Sequence, residues 1–374
     1  MHIDPFGVEI WMNEWEHNCE LNLAETCVYS LTLKQLLELC GQPADALDAL
    51  KALRLGYGDI PGSERLRTAV AALYATQTAA NVLVTHGTIG ANALIHQTLV
   101  ARDEQVVAIV PTYQQHYSIP ASIGARVTQL PLRAEQGFLP DLDALEQAVS
   151  ADTRLIAMTN PNNPTGSLMD DALLAEVVAI ARAADAWLLC DEVYRGTNQE
   201  GPGAGASIAD LYEKGISTGG MSKAFSLAGL RLGWIVAPEP VIEAVMIHRD
   251  YNTISVGVID DHLAALALEH SDALLARSRE ITRTNLAVLD RWVAAEPLIS
   301  YVRPAAGTTA LLQYELELPS RELCLRLIEE TGVMFTPGSA MGVEGTVRIG
   351  FGNPTAVLEE GLGRVSAFLQ RAVA

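Results

Sequence analysis

Two hydrophobic periods alternate along most of the chain. Short apolar runs predict strands at Asn81–Thr85, Gln105–Val110, Arg126–Leu130, Arg154–Thr159, Trp187–Asp191, Gly215–Thr218 and Leu232–Ala237. Between them lie stretches with apolar residues at helical spacing, such as Ser63–Thr76, Ala91–Val100 and Asp171–Ala184. Short apolar strands interleaved with helices predict an α/β fold, with a mainly parallel seven-stranded sheet covered on both faces. After about residue 250 the rhythm changes. Helical patterns near 258–269, 272–296, 319–331 and 354–372 alternate with strands near Thr308–Tyr314 and Thr346–Phe351, which predicts a smaller α+β lobe. Residues 1–45 carry few strand signals and read as an irregular opening with Trp11 and Trp15. The expected organisation is an N-terminal arm over 1–45 that contributes to the small lobe, a large domain over 46–250 and a C-terminal small domain over 251–374.

Length and charge narrow the classes of function. A chain of 374 residues exceeds one ordinary core, so more than one lobe is expected. A net charge of −20 argues against a nucleic-acid partner, since phosphate binding needs clustered Lys and Arg, and against docking on anionic membrane. No stretch approaches the roughly 20 apolar residues that span a bilayer. The cysteines Cys19, Cys27, Cys40, Cys190 and Cys324 form no C-x-x-C pair and no zinc-like spacing with histidine, so no metal site is expected. They read as reduced thiols. The opening Met1-His2-Ile3-Asp4-Pro5 lacks a basic segment followed by an apolar run, so a cytoplasmic location is expected.

The segment from Ser222 to Trp234 carries the strongest chemical signal. Lys223 follows a strand and precedes a small-residue loop that ends at Arg231. A partly desolvated amine can condense with an aldehyde, and a planar guanidinium with an adjacent hydroxyl suits a phosphate. Alone, a lysine in such a loop reads as a surface residue. Three further segments close or follow strands, where parallel sheets bind ligands. They are Asn160-Pro161-Asn162-Asn163-Pro164-Thr165-Gly166, Cys190-Asp191-Glu192-Val193-Tyr194 and Thr85-His86-Gly87-Thr88-Ile89-Gly90-Ala91. The last opens a helix whose N–H groups and dipole suit a phosphate. Asp191, at the end of a buried strand, is costly without a cationic or hydrogen-bonding partner. Arg348, inside the apolar strand Val347–Gly352, needs an anionic partner: a substrate carboxylate or an internal salt bridge.

In this order the segments resemble the class I/II aminotransferases, enzymes of pyridoxal 5′-phosphate (PLP) fold type I. The resemblance implies that Lys223 holds PLP as a Schiff base and moves the substrate Cα proton. It further implies that Gly87, Thr88, Ile89, Ser222 and Arg231 hold the phosphate, that Tyr113 of Pro111-Thr112-Tyr113 stacks on the ring, and that Asn163 and Tyr194 meet the ring oxygen. His116 is a second candidate for the stack. Asp191 would keep the ring nitrogen protonated, and Asn163 and Arg348 would meet the substrate carboxylate. Tyr57, in Tyr57-Gly58-Asp59-Ile60-Pro61-Gly62, would reach the phosphate of a neighbouring subunit, which implies a homodimer with a shared active site. The lysine is expected to have its pKa lowered by burial and nearby positive charge, so that it acts as a base near neutral pH.

Two departures from the family pattern stand out. A serine usually precedes the lysine by three residues, but that position is Gly220, with neighbouring Thr218 a candidate to compensate. The usual glycine-rich opening reads Glu20-Leu21-Asn22-Leu23-Ala24-Glu25-Thr26-Cys27-Val28 and looks more like the openings of capreomycidine synthases and PLP-dependent arginine oxidases. The resemblance therefore implies an aminotransferase that converts an L-amino acid to a 2-oxo acid. The alternative is a PLP-dependent cyclase, eliminase or oxidase acting on arginine-like amino acids. The changed opening places Glu20 or Glu25, with Asn13 or Glu16, as candidates to favour a cationic substrate.

Overall fold

The computed structural model describes residues 2–43 and 46–373. The seven strands expected from the sequence form one sheet: β1 (Val82–His86), β2 (Gln105–Val110), β3 (Arg126–Pro131), β4 (Thr153–Thr159), β5 (Trp187–Asp191), β6 (Gly215–Gly220) and β7 (Leu232–Val236). They lie in the order β1-β7-β6-β5-β4-β2-β3. All pairings are parallel except the two made by β7. The exception has a simple cause. Parallel strands need a crossover of a dozen or more residues, usually a helix, whereas β6 and β7 are joined only by the loop that carries Lys223 and a short 3₁₀ turn. With β7 reversed, the six remaining strands place their carboxyl ends on one edge. The chemistry-bearing segments leave β1, β2, β4, β5 and β6 at that edge, and Arg231 enters β7 there.

The second lobe is built on a four-stranded sheet of Thr336–Pro337, Thr346–Gly350, Thr309–Tyr314 and Ile299–Tyr301. Helices Ser271–Ala295, Ser320–Thr331 and Thr355–Val373 contribute to its core. Its apolar cluster joins Trp11 and Leu23 from the start of the chain to Leu286, Phe335, Phe351 and Phe368 from the end.

The opening is not irregular, which corrects the expectation for residues 1–45. It contains helices at Gly7–Trp15 and Leu33–Leu39. The first buries Val8 and Trp11, and the Trp11 indole N–H donates to the Phe335 carbonyl at 2.8 Å. No side chain caps its N-terminus, so the sequence carries no start signal and tertiary burial fixes it. The second helix has a capping box between Thr32 and Gln35. Among the described residues no helix is long and apolar enough to cross a membrane.

Gly350 shows how the opening reaches the sheet edge. A Cβ there would lie 1.7 Å from the Glu25 carbonyl oxygen, so only glycine lets the two backbones approach. The Gly350 N–H donates to the Leu23 carbonyl at 2.7 Å. This contact delivers Glu25, Thr26 and Cys27 to Lys223.

Candidate active site

A cavity of about 620 Å³ opens between the carboxyl edge of the large sheet and the second lobe. Of the residues assigned to a site from the sequence, Gly87, Thr88, Ile89, Tyr113, Asn163, Asp191, Tyr194, Ser222, Lys223, Arg231, Glu25 and Arg348 all line it. Tyr57 does not: the residue is 81% exposed to solvent and is not part of the lining.

Lys223 Nζ donates to Thr26 Oγ1 at 2.5 Å, with Cys27 Sγ at 3.4 Å and Glu25 Oε1 at 4.0 Å. The lowered pKa expected for this lysine is not found. Burial disfavours its ammonium, but Cys27, Tyr194 and Glu25 favour it, and the balance raises it above the ordinary lysine range. Burial pushes the Cys27 thiol up to about 11, so it is neutral near pH 7 and Glu25 is the formal charge beside the ammonium. Glu25 is held low: burial opposes its ionisation, but Lys223 and the N–H groups of Thr26 and Cys27 outweigh that. Nearby positive charge was expected to lower the pKa of Lys223, whereas the opening of the chain brings an acid, Glu25, to its side.

Asp191 closes β5 and is 4% exposed. Its Oδ1 accepts from the Val193 N–H at 3.1 Å and its Oδ2 from Asn92 Nδ2 at 2.8 Å. Burial raises its pKa to about 6 despite these donors and Lys223. Asn92 was missed in the sequence. It stands four residues after Thr88 on helix Gly87–Leu99, one turn on along the same face, so a reading that placed Thr88 at the cavity had the spacing to find it.

At the other end of the cavity Gly87 has φ +67°, and a Cβ there would sit 3.3 Å from Arg231 Nη2. The glycine keeps open a cradle between the start of the helix and the guanidinium. Thr88 Oγ1 is buried at the same end with no hydrogen-bond partner. The departure at Gly220 is explained here. A Cβ at Gly220 would lie 2.4 Å from Thr88 Oγ1, so the threonine hydroxyl fills the space a serine side chain would take. Thr218 is not the replacement, because its hydroxyl donates to Asn92 Oδ1 at 2.7 Å.

Arg348 is 3% exposed and bonds only neutral groups: Asn163 Oδ1 at 3.3 Å, the Ala24 carbonyl at 3.2 Å and Thr336 Oγ1 at 3.1 Å. Its Nε has no partner, and burial lowers its pKa. Among the described residues Arg348 therefore has no internal salt bridge, and a buried cation with an unused donor remains. The Tyr194 hydroxyl is likewise buried without a partner. Tyr113 donates to Glu9 Oε1 at 2.7 Å and packs on Phe6 at 4.7 Å between ring centroids. His116 is fully buried against His96, with 3.3 Å between ring nitrogens, and does not line the cavity, which removes it as a candidate for the stack. Glu20 is also removed from the substrate side, since it pairs on the surface with Arg364. Asn13, on the unexpected first helix, and Glu16, just past its end, do line the cavity, and Glu9 joins them.

These features fit PLP: an amine, a buried carboxylate, unpartnered Thr88 and Tyr194 hydroxyls, and a glycine cradle facing a guanidinium all open into one space. Comparison with known proteins agrees. The family model for class I and II aminotransferases matches residues 38–365. The chain is 33% identical over 362 residues to a capreomycidine synthase of Streptomyces vinaceus, covering 96% of this chain and 92% of that protein. In structure it is similar to a PLP-dependent aminotransferase from Streptococcus suis 89-1591, at 39% identity and a TM-score of 0.96, covering 100% of this chain and 99% of that one. It is also similar to the PLP-dependent cyclase OrfR, at 29% identity and a TM-score of 0.92, covering 99% and 98%. This chain therefore belongs to the class I and II aminotransferase family, and its cofactor is pyridoxal 5′-phosphate.

Proposed function

We propose that the chain is an aminotransferase that converts an L-amino acid with a cationic side chain to its 2-oxo acid. The observation that carries this reading is the distribution of charge in the cavity. Arg348 offers a buried cation for the substrate carboxylate, while the carboxylates of Glu25, Glu16 and Glu9 line the same cavity. Bound PLP supplies an aldehyde that condenses with amines and a ring that accepts the electron pair left at Cα. Around it the chain's own groups divide the work. Arg348 and Asn163 orient the carboxylate; Lys223, an ammonium in the cofactor-free chain, would take the Cα proton as the neutral amine left when the substrate amine replaces it on the PLP aldehyde, and return it. Asp191 faces the ring nitrogen as a buried anion. Ser222, Arg231 and the Gly87–Ile89 turn hold the phosphate, Tyr113 covers the ring, and Tyr194 donates to its oxygen.

A second reading, a PLP-dependent cyclase acting on an arginine-like amino acid, is favoured by the likeness to capreomycidine synthase and OrfR along nearly the whole chain. Both readings use the same residues up to proton removal. We further propose a homodimer in which Tyr57 completes the partner's phosphate site. The exposed apolar side chains of Leu55, Tyr57, Ile247 and Tyr251 support it.

Offering arginine, ornithine and glutamate in turn, with an oxo-acid acceptor, tests this reading. Arginine and ornithine are expected to exchange their Cα hydrogen with solvent deuterium faster than glutamate. A 2-oxo acid product supports the aminotransferase, whereas a cyclic amino acid supports the second reading. Glu25→Gln is expected to lower kcat/KM for arginine by about tenfold, the scale of one hydrogen bond to a charged group. Equal handling of arginine and glutamate by the unaltered enzyme would remove the cationic preference.

A further inference from the structure

Asp191 is a carboxylate taken almost wholly out of water, and a carboxylate so placed tends to become neutral unless donors hold its charge. One donor is a backbone N–H, that of Val193, which no side-chain change can remove. The other is Asn92 Nδ2 at 2.8 Å. An asparagine side chain can present either its oxygen or its NH₂ to a neighbour, and an oxygen facing a carboxylate would be repelled. Thr218 bears on that choice. Its hydroxyl donates to Asn92 Oδ1 at 2.7 Å, which leaves the NH₂ for Asp191. Asn92 is 1% exposed and Thr218 is fully buried, so both bonds are sheltered from bulk solvent.

The placement of Asn92 adds a second argument. It lies five residues after Gly87 on the helix that starts at the phosphate cradle, a rise of about 7.5 Å. One rigid helix therefore presents its first turn to one end of the cavity and Asn92 to the carboxylate at the other. Thr218 sits on β6, next to β5, with its carbonyl accepting the Glu192 N–H at 2.8 Å. The chain Thr218–Asn92–Asp191 thus spans two strands and a helix, each held by its own backbone pairing.

We propose that Asn92, oriented by Thr218, is the positioning residue that keeps Asp191 ionised toward the cofactor's ring nitrogen. The inference rests on the proposed role of Asp191. Other groups act on that carboxylate: Lys223 favours its charge, and Cys190 and Tyr113 lie close enough to feel it. None of the three donates a hydrogen bond to it.

Equilibrium dialysis of the full-length protein at pH 7.5 tests the proposal with two probes, PLP and its analogue with carbon in place of the ring nitrogen. The unaltered protein is expected to prefer PLP. Asn92→Leu, close in size but without donors, is expected to weaken PLP by about tenfold or more, the scale of one lost bond to a charged group, and to leave the analogue unchanged. Thr218→Val is expected to shift PLP in the same direction and Thr218→Ser to restore it, which also covers the case of Asn92→Leu failing to fold. A preference for PLP that survives both Asn92→Leu and Thr218→Val would overturn the role of Asn92 alone. No preference in the unaltered protein would overturn the role of Asp191 and this inference with it.

Discussion

Lys223→Ala is expected to bind PLP without a covalent bond and to lose nearly all exchange of the substrate Cα hydrogen with solvent. Lys223 is the amine the structure brings into the cavity, at the end of β6 and within reach of Thr26, Cys27 and Glu25. General acid–base transfer by a positioned side chain contributes roughly 100- to 10,000-fold, and this lysine also holds the cofactor, so the loss is expected at the upper end of that range. Cofactor retention is the control, since the Gly87 cradle and Arg231 are untouched. A Lys223→Ala protein that keeps PLP and exchanges the Cα hydrogen at the normal rate would remove the lysine from the reaction.

Asp191→Asn is expected to act in opposite directions on stability and turnover. In the cofactor-free protein burial raises Asp191 to about 6, above the value it takes in an unfolded chain. A raised folded-state pKa means that the native state prefers the protonated acid. Its contribution is full below about pH 4 and is lost as pH rises through about 6. At pH 7.5 the ionised Asp191 therefore costs on the order of 2–3 kcal/mol, and Asn avoids that cost. Thermal unfolding of the cofactor-free proteins should show Asp191→Asn melting higher at pH 7.5, with the gap closing toward pH 4. With PLP bound the order reverses in activity. Loss of the anion facing the ring nitrogen is expected to lower turnover by roughly 100-fold. A variant that keeps PLP and turns over normally would contradict the electronic role of Asp191.

Much of this site can be read from the sequence, because its pieces are local. A strand that ends in Cys190-Asp191 or Thr159-Asn160 announces both its period and the residue placed at the sheet edge, and six parallel strands bring such ends together. What could not be read depends on distant contacts. Helix Gly7–Trp15 is short and uncapped, and forms because Trp11 is buried against Phe335, far along the chain. That helix carries Glu9 and Asn13 and ends beside Glu16, so the acidic lining was visible only in part. The pKa of Lys223 was misjudged for the same reason: the Leu23–Gly350 approach sets Glu25 beside it. Thr218 and Asn92 are paired across more than a hundred residues, and neither alone carries a motif. His116 and Glu20 failed as candidates because composition says what a side chain can do, whereas packing decides where it points.

The most direct measurement is borohydride reduction of the yellow holoenzyme followed by peptide mass spectrometry. A lysine that holds PLP covalently is fixed to it by reduction, and the expected result is one pyridoxyl group per chain, on Lys223. A pyridoxyl group on any other lysine, or none on a PLP-loaded protein, would contradict the account.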